Sequence, residues 1–283
     1  MQRSSTLDVA ESETREDHAL TDDAIPGPAD IYDQTFVPAL FGQWGPRISA
    51  LARIRPGETV LDVACGTGAL TLAAQHVGGA KGRVVGLAAN PEMLAVARRK
   101  SQAIEWIDGT AAALPFPDEQ FDAVVSQFGM MFFRDRIRAL REMMRVAKPG
   151  GRLVVAVCGA VEDSPGYDTL ARLLQRLFGD PVRDAFLSPS TLGDPDFLSV
   201  LCKGAGLADA HIERHEGEVR FSSIADLVST ERACVWTLGG LLDDAQFERL
   251  AREAETALSS FVGEDGQVTF AMPALVITEQ KGG

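Results

Sequence analysis

Short apolar runs alternate with helix-like segments between residues 56 and 158, and this alternation constrains the fold more than any other feature of the chain. Strands that alternate with helices across short loops are typical of a mostly parallel, doubly wound sheet. The strand-like runs are "ETVLDV", "GRVVGLAA", "AIEWIDG", "FDAVVSQF" and "GRLVVAVC". The sequence therefore predicts an α/β fold whose core lies within 56–158.

The first strand is followed by a glycine-rich turn, "VLDVACGTG". Gly66 and Gly68 allow the backbone to approach a ligand closely. The N-terminus of the next helix offers unpaired amides to a negative charge. A dinucleotide-binding fingerprint requires a third glycine, where this chain has Thr71. The turn is thus either a cofactor-binding loop or simply a tight strand–helix connection.

The second strand ends in "GLAANPEML", in which Asn90 is expected to cap a helix that begins at Pro91. In nucleotide-binding α/β folds the tip of this strand usually carries an acid that binds a ribose diol. Here the tip is Ala88 and Ala89. A carboxylate makes hydrogen bonds of about 1.5–3 kcal/mol each. Either Asn90, water or backbone groups compensate for its loss, or the fold has lost much of its affinity for such a ligand.

Four motifs occur in a characteristic order: "LDVACGTG", "NPEMLAVAR", "LPFPDEQFDAVVSQFGMMFF" and "ALREMMRVAKPGGRL". Together they resemble the class I S-adenosylmethionine-dependent methyltransferases, in particular the small-molecule group related to ubiquinone/menaquinone-biosynthesis C-methyltransferases. The resemblance is strong over 56–158 and extends more weakly to Tyr32 and to the final strand. It implies a Rossmann-like fold with a seven-stranded, mostly parallel sheet whose last strand is antiparallel, together with a helical lid.

The resemblance also implies a site for S-adenosylmethionine and its product S-adenosylhomocysteine. Residues 66–68 would surround the methionine part, with Asp62 fixing its ammonium group or the turn. Met93 would pack on the adenine, and 127–128 would face the reactive end. Thr110 stands where many relatives have an Asp beside the adenine. The implied cofactor-binding residues are Tyr32, Asp62, Ala64, Cys65, Gly66, Thr67, Gly68, Ala88, Ala89, Asn90, Met93, Gly109, Thr110, Ala111, Gln127 and Phe128.

Aromatic and sulfur-containing side chains are concentrated in "QFGMMFF" and in the segment around Tyr32. They could form an apolar box around a sulfonium, where cation–π contact contributes about 0.5–2 kcal/mol, or they could be ordinary core. Phe36, Met131 and Phe132 are expected to line the substrate pocket. Methyl transfer from a cation disperses charge, so a dry pocket can accelerate it mainly by positioning. No general base is required, and no catalytic residue is assigned.

The chain divides into an acidic tail and one domain. Residues 1–30 carry eight acidic residues against two arginines, so 1–28 are expected to form a disordered tail and 29–283 a single domain. Helices over 30–54 and insertions over about 160–206 and 222–262 are expected to cover the substrate side. Within the second insertion, Thr230–Arg232 is expected to lie on the surface rather than against the substrate.

Composition excludes several classes of partner. The net charge of −13 argues against a nucleic-acid surface. No apolar run approaches the roughly 18–20 residues of a membrane span. The four cysteines are far apart, which indicates reduced thiols of a cytoplasmic protein and no metal site. We therefore expect a small-molecule substrate, with a homodimer left open.

Three readings of the function follow. The first is methyl transfer to a small organic acceptor. The second is a methyltransferase-like enzyme that catalyses a non-methylating reaction, and the third is a non-enzymatic protein that has lost its cofactor. A nicotinamide-dependent oxidoreductase fits less well, because both the third glycine and the ribose acid are missing.

Overall fold

The structure is a computed structural model that describes residues 27–234 and 237–282. Of the predicted acidic tail, 1–28, only the last two residues are among them, and the first helix begins at Pro28. The remainder of the tail lies outside the described residues, so its predicted disorder stays a prediction.

The described residues form the alternating pattern that the sequence predicts between 56 and 158. Across them the strands are β1 (Thr59–Val63), β2 (Arg83–Ala88), β3 (Glu105–Asp108), β4 (Phe121–Gln127), β5 (Ala147–Cys158), β6 (His211–His215), β7 (Glu218–Phe221), β8 (Val268–Ala271) and β9 (Ala274–Gln280). The α-helices are α1 (Pro28–Ile31), α2 (Trp44–Leu51), α3 (Ala69–Gly78), α4 (Pro91–Lys100), α5 (Arg136–Val146), α6 (Pro165–Phe178), α7 (Asp180–Phe186), α8 (Pro195–Ala205), α9 (Ile224–Ala233) and α10 (Asp244–Ala257).

Seven strands form one sheet in the order β3-β2-β1-β4-β5-β9-β6. The first five are mutually parallel, and β9 is antiparallel to both β5 and β6. This confirms the predicted seven-stranded sheet with an antiparallel last strand. The carboxyl ends of β1, β2 and β4 meet at one edge, where open α/β sheets bind their ligands.

Two further segments, "ADAHIERHEGEVRF" and "QVTFAMPALVITEQK", each have the pattern of a single strand in the sequence, but a prediction of one strand for each is wrong because both are split in two. Residues 211–221 form β6 in the main sheet and β7 in a separate two-stranded sheet with β8. The chain turns at Gly217, where a Cβ would lie 2.3 Å from the Trp44 indole. The last strand is likewise divided at Pro273, which has no N–H for a sheet ladder.

The lead-in helices, residues 28–51, contain two internal prolines, a residue type that normally breaks a helix, but neither proline ends one. Pro38 lies inside a π-helical segment, Tyr32–Phe41, instead of ending it. Pro46 lies in the first turn of α2, where a helix does not need its N–H. Two ion pairs join this segment to the end of α4: Asp30 with Arg99, and Asp33 with Lys100 at 2.6 Å.

No helix in the described part of the chain is both long enough and apolar enough to cross a membrane.

Candidate functional site

A cavity of about 380 Å³ opens at the carboxyl edge of the main sheet, below the lead-in helices. This volume lies in the range of small-molecule sites. Most of the predicted site residues line it: Tyr32, Phe36, Asp62, Ala64, Cys65, Gly66, Thr67, Ala88, Ala89, Asn90, Met93, Gln127, Phe128, Met131 and Phe132. Gly68, Gly109, Thr110 and Ala111 are not among the lining residues. The fold therefore brings together residues from the ends of three strands and from the lead-in.

The glycine-rich turn passes three times through the left-handed region of backbone space. Ala64 has φ 62°, Gly66 φ 56° and Gly68 φ 87°. This region is strained for alanine and free for glycine. A Cβ at Gly66 would meet no atom within 4 Å, so this glycine faces open space, whereas a Cβ at Gly68 would lie 2.5 Å from the Trp106 ring. Gly66 leaves room at the cavity, and Gly68 leaves room for an indole.

Trp106 is a structural residue of the site that sequence reasoning missed. Its ring also covers Gly86 in β2, where a Cβ would lie 2.5 Å away. The ring therefore packs across β2 and onto the glycine-rich turn, together with Cys65. A glycine inside an otherwise apolar strand often marks such a close approach. Gly86 is therefore the sequence feature from which the packing of a large ring on β2 could have been predicted.

Asp62 is the buried acid beneath the turn. It is 0% exposed, and its Oδ2 accepts a hydrogen bond of 2.6 Å from the Thr71 hydroxyl. The residue in place of the third glycine thus supports this carboxylate. Burial raises the pKa of Asp62 to about 7, partly opposed by the bond from Thr71. Asp62 Oδ1 and the nearby Thr67 Oγ1 have no hydrogen-bond partner within the described residues. Buried polar atoms are rarely left so, and both residues line the cavity.

The tip of β2 carries no acid in this chain. Ala88 is only 5% exposed and lines the cavity. Asn90 caps α4 as predicted, because its Oδ1 accepts from the backbone N–H groups of Glu92 (2.9 Å) and Met93 (3.2 Å). The amide oxygen of Asn90 therefore accepts its hydrogen bonds from the first turn of α4. The Asn90 Nδ2, which can only donate, remains the polar side-chain group at this edge. Asp108 is exposed and does not line the cavity.

The residues after β3 lie away from the cavity. The Gly109 N–H donates to the Ala88 carbonyl at 3.1 Å, and a Cβ on Gly109 would lie 2.9 Å from Leu87. Thr110 forms an isolated bridge with Ala113. These contacts give residues 109–111 a structural role in the loop, and their predicted contact with an adenine stays a prediction.

At the end of β4, two residues connect the sheet to the lead-in helices. Gln127 donates from Nε2 to the Phe41 carbonyl at 3.0 Å, and its buried Oε1 has no partner in the described chain. Phe128 has φ 52°, a left-handed conformation that is rare for a bulky residue. Such strain is concentrated at functional sites. The Phe128 ring lies 5.3 Å from Phe41 and edge-on to Trp44 at 5.6 Å.

The aromatic residues of the lead-in form one wall of the cavity. The Tyr32 ring lies 5.8 Å from Phe36 and 5.7 Å from Phe41, and Phe36 lies 6.3 Å from Phe41. Burial raises the pKa of the Tyr32 hydroxyl well above its ordinary value. The phenol thus stays neutral, and the wall presents ring faces without a formal charge.

The other part of the cavity, here called the lid half, is lined by residues of the two insertions and by the end of β5. Sequence reasoning did not assign its residues: Cys158, Ser164, Tyr167, Phe186 and Glu231 line it among others. The expectation that 230–232 lie on the surface is wrong for the first two residues. Thr230 is 1% and Glu231 4% exposed, because α9 packs this face inward. The helical spacing of Leu227 and Glu231, four residues apart, was the available signal.

Comparison with known proteins agrees with this geometry. A family model described as the ubiE/COQ5 methyltransferase family matches residues 34–176. A demethylmenaquinone methyltransferase of Lysinibacillus sphaericus is 36% identical over 178 residues, which cover 58% of this chain and 76% of that protein. The ubiquinone/menaquinone biosynthesis C-methyltransferase UbiE of an Enterobacter species is 35% identical over 170 residues, covering 54% and 68%. The structure of the YcgJ protein of Bacillus subtilis has the same fold, with a TM-score of 0.57, 20% identity and coverage of 85% and 99%.

Proposed function

The chain belongs to the ubiE/COQ5 methyltransferase family and is an S-adenosylmethionine-dependent methyltransferase, and from this premise we propose that it methylates a small organic acceptor. The acceptor binds in the lid half of the cavity, opposite the glycine-rich turn. The observation that carries the proposal is one cavity in which a strained glycine turn and buried, unpartnered polar atoms face a wall of aromatic rings.

The residues present fit the cofactor at its amino-acid end. Asp62 Oδ1 and Thr67 Oγ1 are both buried and lack partners within the described chain. An ionised Asp62 accepts hydrogen bonds from an ammonium group, and the Thr67 hydroxyl can donate to a carboxylate. The open space at Gly66 lets the backbone approach this end closely.

The ribose of the cofactor would be bound by a group other than the acid that usually stands at the tip of this strand. With Ala88 at the tip of β2, we propose that Asn90 Nδ2 and nearby backbone groups bind the diol. A neutral hydrogen bond contributes about 0.5–1.5 kcal/mol, less than a charged one. This chain should therefore bind the cofactor more weakly than a version with a carboxylate at position 88.

When bound, S-adenosylmethionine supplies a methyl group activated by a sulfonium charge. The chain's own residues contribute positioning and exclusion of water. The rings of Tyr32 and Phe41 offer faces that stabilise a nearby cation by about 0.5–2 kcal/mol. Gln127 fixes the lead-in to the end of β4 through its bond to Phe41, so the wall keeps its place. A pre-formed, dry site lowers the barrier mainly by orientation.

The lid half indicates the acceptor's general chemistry. Its walls include the apolar side chains of Phe186, Leu187 and Met272, and no lysine, arginine or histidine is found among the described lining residues. An apolar, uncharged molecule therefore fits better than a phosphorylated or strongly anionic one. The relatives named above are quinone-biosynthesis enzymes, which agrees with an acceptor of this kind.

The test is turnover by the full chain. Purified protein is incubated with S-adenosylmethionine and a metabolite extract, and the products are measured by mass spectrometry. We expect S-adenosylhomocysteine together with a metabolite heavier by one methyl group. Cofactor binding without S-adenosylhomocysteine formation from any fraction would favour a non-methylating reaction. Failure to bind either form of the cofactor would favour a non-enzymatic protein.

A further inference from the structure

The lid half of the cavity contains an acid that the positioning mechanism does not use. Glu231 lies on α9, is 4% exposed and lines the cavity. The hydroxyls of Ser164 and Tyr167 also face this half, and neither has a hydrogen-bond partner of normal geometry in the described chain. The Tyr167 hydroxyl is close enough to the Glu231 carboxyl for the two to interact electrostatically. Glu231 and Tyr167 thus interact at the wall of the cavity.

The tyrosine of this pair is held rigidly. Its ring packs edge-on against Phe186 at 5.8 Å and against Phe270 at 5.1 Å. The backbone beside it packs closely against the same ring, because a Cβ on Gly166 would lie 2.3 Å from the Phe270 ring. The hydroxyl is therefore fixed in direction by three elements, α6, α7 and β8. Such pre-organisation is what a binding or catalytic group requires.

The surroundings of Glu231 are neutral or acidic. The titratable groups of the described chain that face its part of the cavity are Tyr167 on α6, Tyr32 on the lead-in, Cys158 at the end of β5 and Cys234 after α9. None of them is a cation. Glu231 is therefore not one half of a structural ion pair, and a buried carboxyl without such a partner is costly to the fold. A functional role explains why the cost is tolerated.

We propose that Glu231, assisted by Tyr167, accepts the proton of a hydroxyl group on the acceptor molecule, which is accordingly an apolar compound with a phenol-type or enol-type O–H. The inference rests on the proposed methyltransferase function. In the step, the O–H bond of the acceptor breaks and a new O–H bond forms on the Glu231 carboxylate. The electron pair stays on the acceptor oxygen, and the Tyr167 hydroxyl donates a hydrogen bond to it. The acceptor becomes the stronger nucleophile that methylation needs.

Burial suits Glu231 to this step. It raises the pKa of Glu231 to about 8, close to the value of roughly 10 for a tyrosine-like phenol. Proton transfer from such a phenol is then uphill by only about a hundredfold, which general-base catalysis near neutral pH can use. An ordinary, exposed glutamate would be too weak a base by several orders of magnitude.

The experiment uses 4-nitrophenol, whose anion absorbs visible light, and its methyl ether 4-nitroanisole as a probe without a proton. Both are titrated into the full chain saturated with S-adenosylhomocysteine at pH 6.5, where free 4-nitrophenol is mostly protonated and the anion band of the free compound is the baseline. The variants are Glu231→Gln, Tyr167→Phe and, as a matched control, Glu248→Gln, an exposed glutamate on the neighbouring helix α10. Calorimetry with S-adenosylhomocysteine alone shows beforehand that each variant is folded and binds the cofactor.

We expect 4-nitrophenol to bind the wild type and Glu248→Gln with the absorption band of its anion. Glu231→Gln should bind it about five- to tenfold more weakly and without that band, because a charge-assisted hydrogen bond is lost. Tyr167→Phe should weaken the binding several-fold, and 4-nitroanisole should not distinguish the proteins.

Two results would overturn the inference while leaving the methyltransferase function intact. One is cofactor binding with no binding of 4-nitrophenol. The other is equal binding of 4-nitrophenol, with an equal anion band, in wild type and Glu231→Gln. Absence of S-adenosylhomocysteine binding in the wild type would contradict the proposed function, and with it the inference.

Discussion

At the scale of single residues, the proposed cofactor half of the cavity, lined by the glycine-rich turn and Asp62, depends on the ionisation of Asp62. Its carboxyl has a pKa raised to about 7 by burial, and an ammonium ligand binds the ionised form. Below that pH the ligand must displace a proton, so affinity falls by up to about tenfold per pH unit. Above it the affinity becomes independent of pH, because Asp62 is already ionised.

Calorimetry with S-adenosylhomocysteine at pH 6, 7 and 8 tests this dependence. We expect affinity to rise between pH 6 and 7 and then to level off, with net release of a proton in the lower range. Asp62→Asn should bind weakly at every pH and should lose the slope. A wild-type affinity that is constant from pH 6 to 8 would remove Asp62 from the ammonium site.

The second prediction at this scale concerns Ala88. In Ala88→Asp, a carboxylate at the tip of β2 should restore the charged contact to the ribose and raise affinity for S-adenosylhomocysteine by about 1–3 kcal/mol. Because Ala88 is only 5% exposed and packs with Cys65 and Trp106, burial of the new charge should also lower the free energy of unfolding of the ligand-free protein.

Chemical denaturation and calorimetry measure the two effects of Ala88→Asp separately. Ala103→Asp, at an exposed position before β3, controls for the added negative charge and should change neither quantity by much. Weaker cofactor binding in Ala88→Asp would mean that another group already occupies this space and that the ribose is bound differently.

At the scale of elements, the lead-in helices close the cavity and are held down by ion pairs. Lys100 Nζ lies 2.6 Å from Asp33 Oδ1, and both side chains are more than half buried. A pair near the surface contributes only about 0.2–1 kcal/mol. Asp33→Asn should therefore lower the free energy of unfolding by less than about 1 kcal/mol and increase the dissociation rate of S-adenosylhomocysteine by up to about fivefold.

Stopped-flow displacement of the cofactor product checks this expectation. Glu105→Gln is the matched control, because its ion pair with Arg83 (2.6 Å) is exposed and lies at the other end of the strands. It should leave the dissociation rate unchanged. If Asp33→Asn and wild type release the ligand at the same rate, the lead-in does not cover the bound cofactor.

The same scale shows which elements the sequence could predict. Central strands such as β1 and β4 are buried on both faces, so they appear as apolar runs that need no tertiary information. The break between β6 and β7 is different. Alternation reports which face a residue occupies but not which sheet it joins, and the break depends on Gly217 meeting Trp44, a residue far away in sequence.

At the scale of the whole molecule, the two halves of the cavity differ in how far they could be predicted. The cofactor half follows from local motifs, because Gly66 and Asn90 act within a few residues of their own strand ends. The lid half could not be predicted in this way. Tyr167 and Glu231 come from separate helices and meet only through packing, and each of them taken alone is unremarkable in sequence.

The central claim is that the glycine-rich turn holds S-adenosylmethionine, and Gly66→Val tests it most directly. Gly66 and Gly57 both have positive φ (56° and 90°), and a Cβ on either would meet no atom within 4 Å. Gly57→Val therefore introduces comparable backbone strain in a turn outside the site. Measured by calorimetry with S-adenosylhomocysteine, Gly57→Val should bind as the wild type does and Gly66→Val at least about tenfold more weakly. Equal affinity of the two variants would contradict the assignment of the cofactor to this turn.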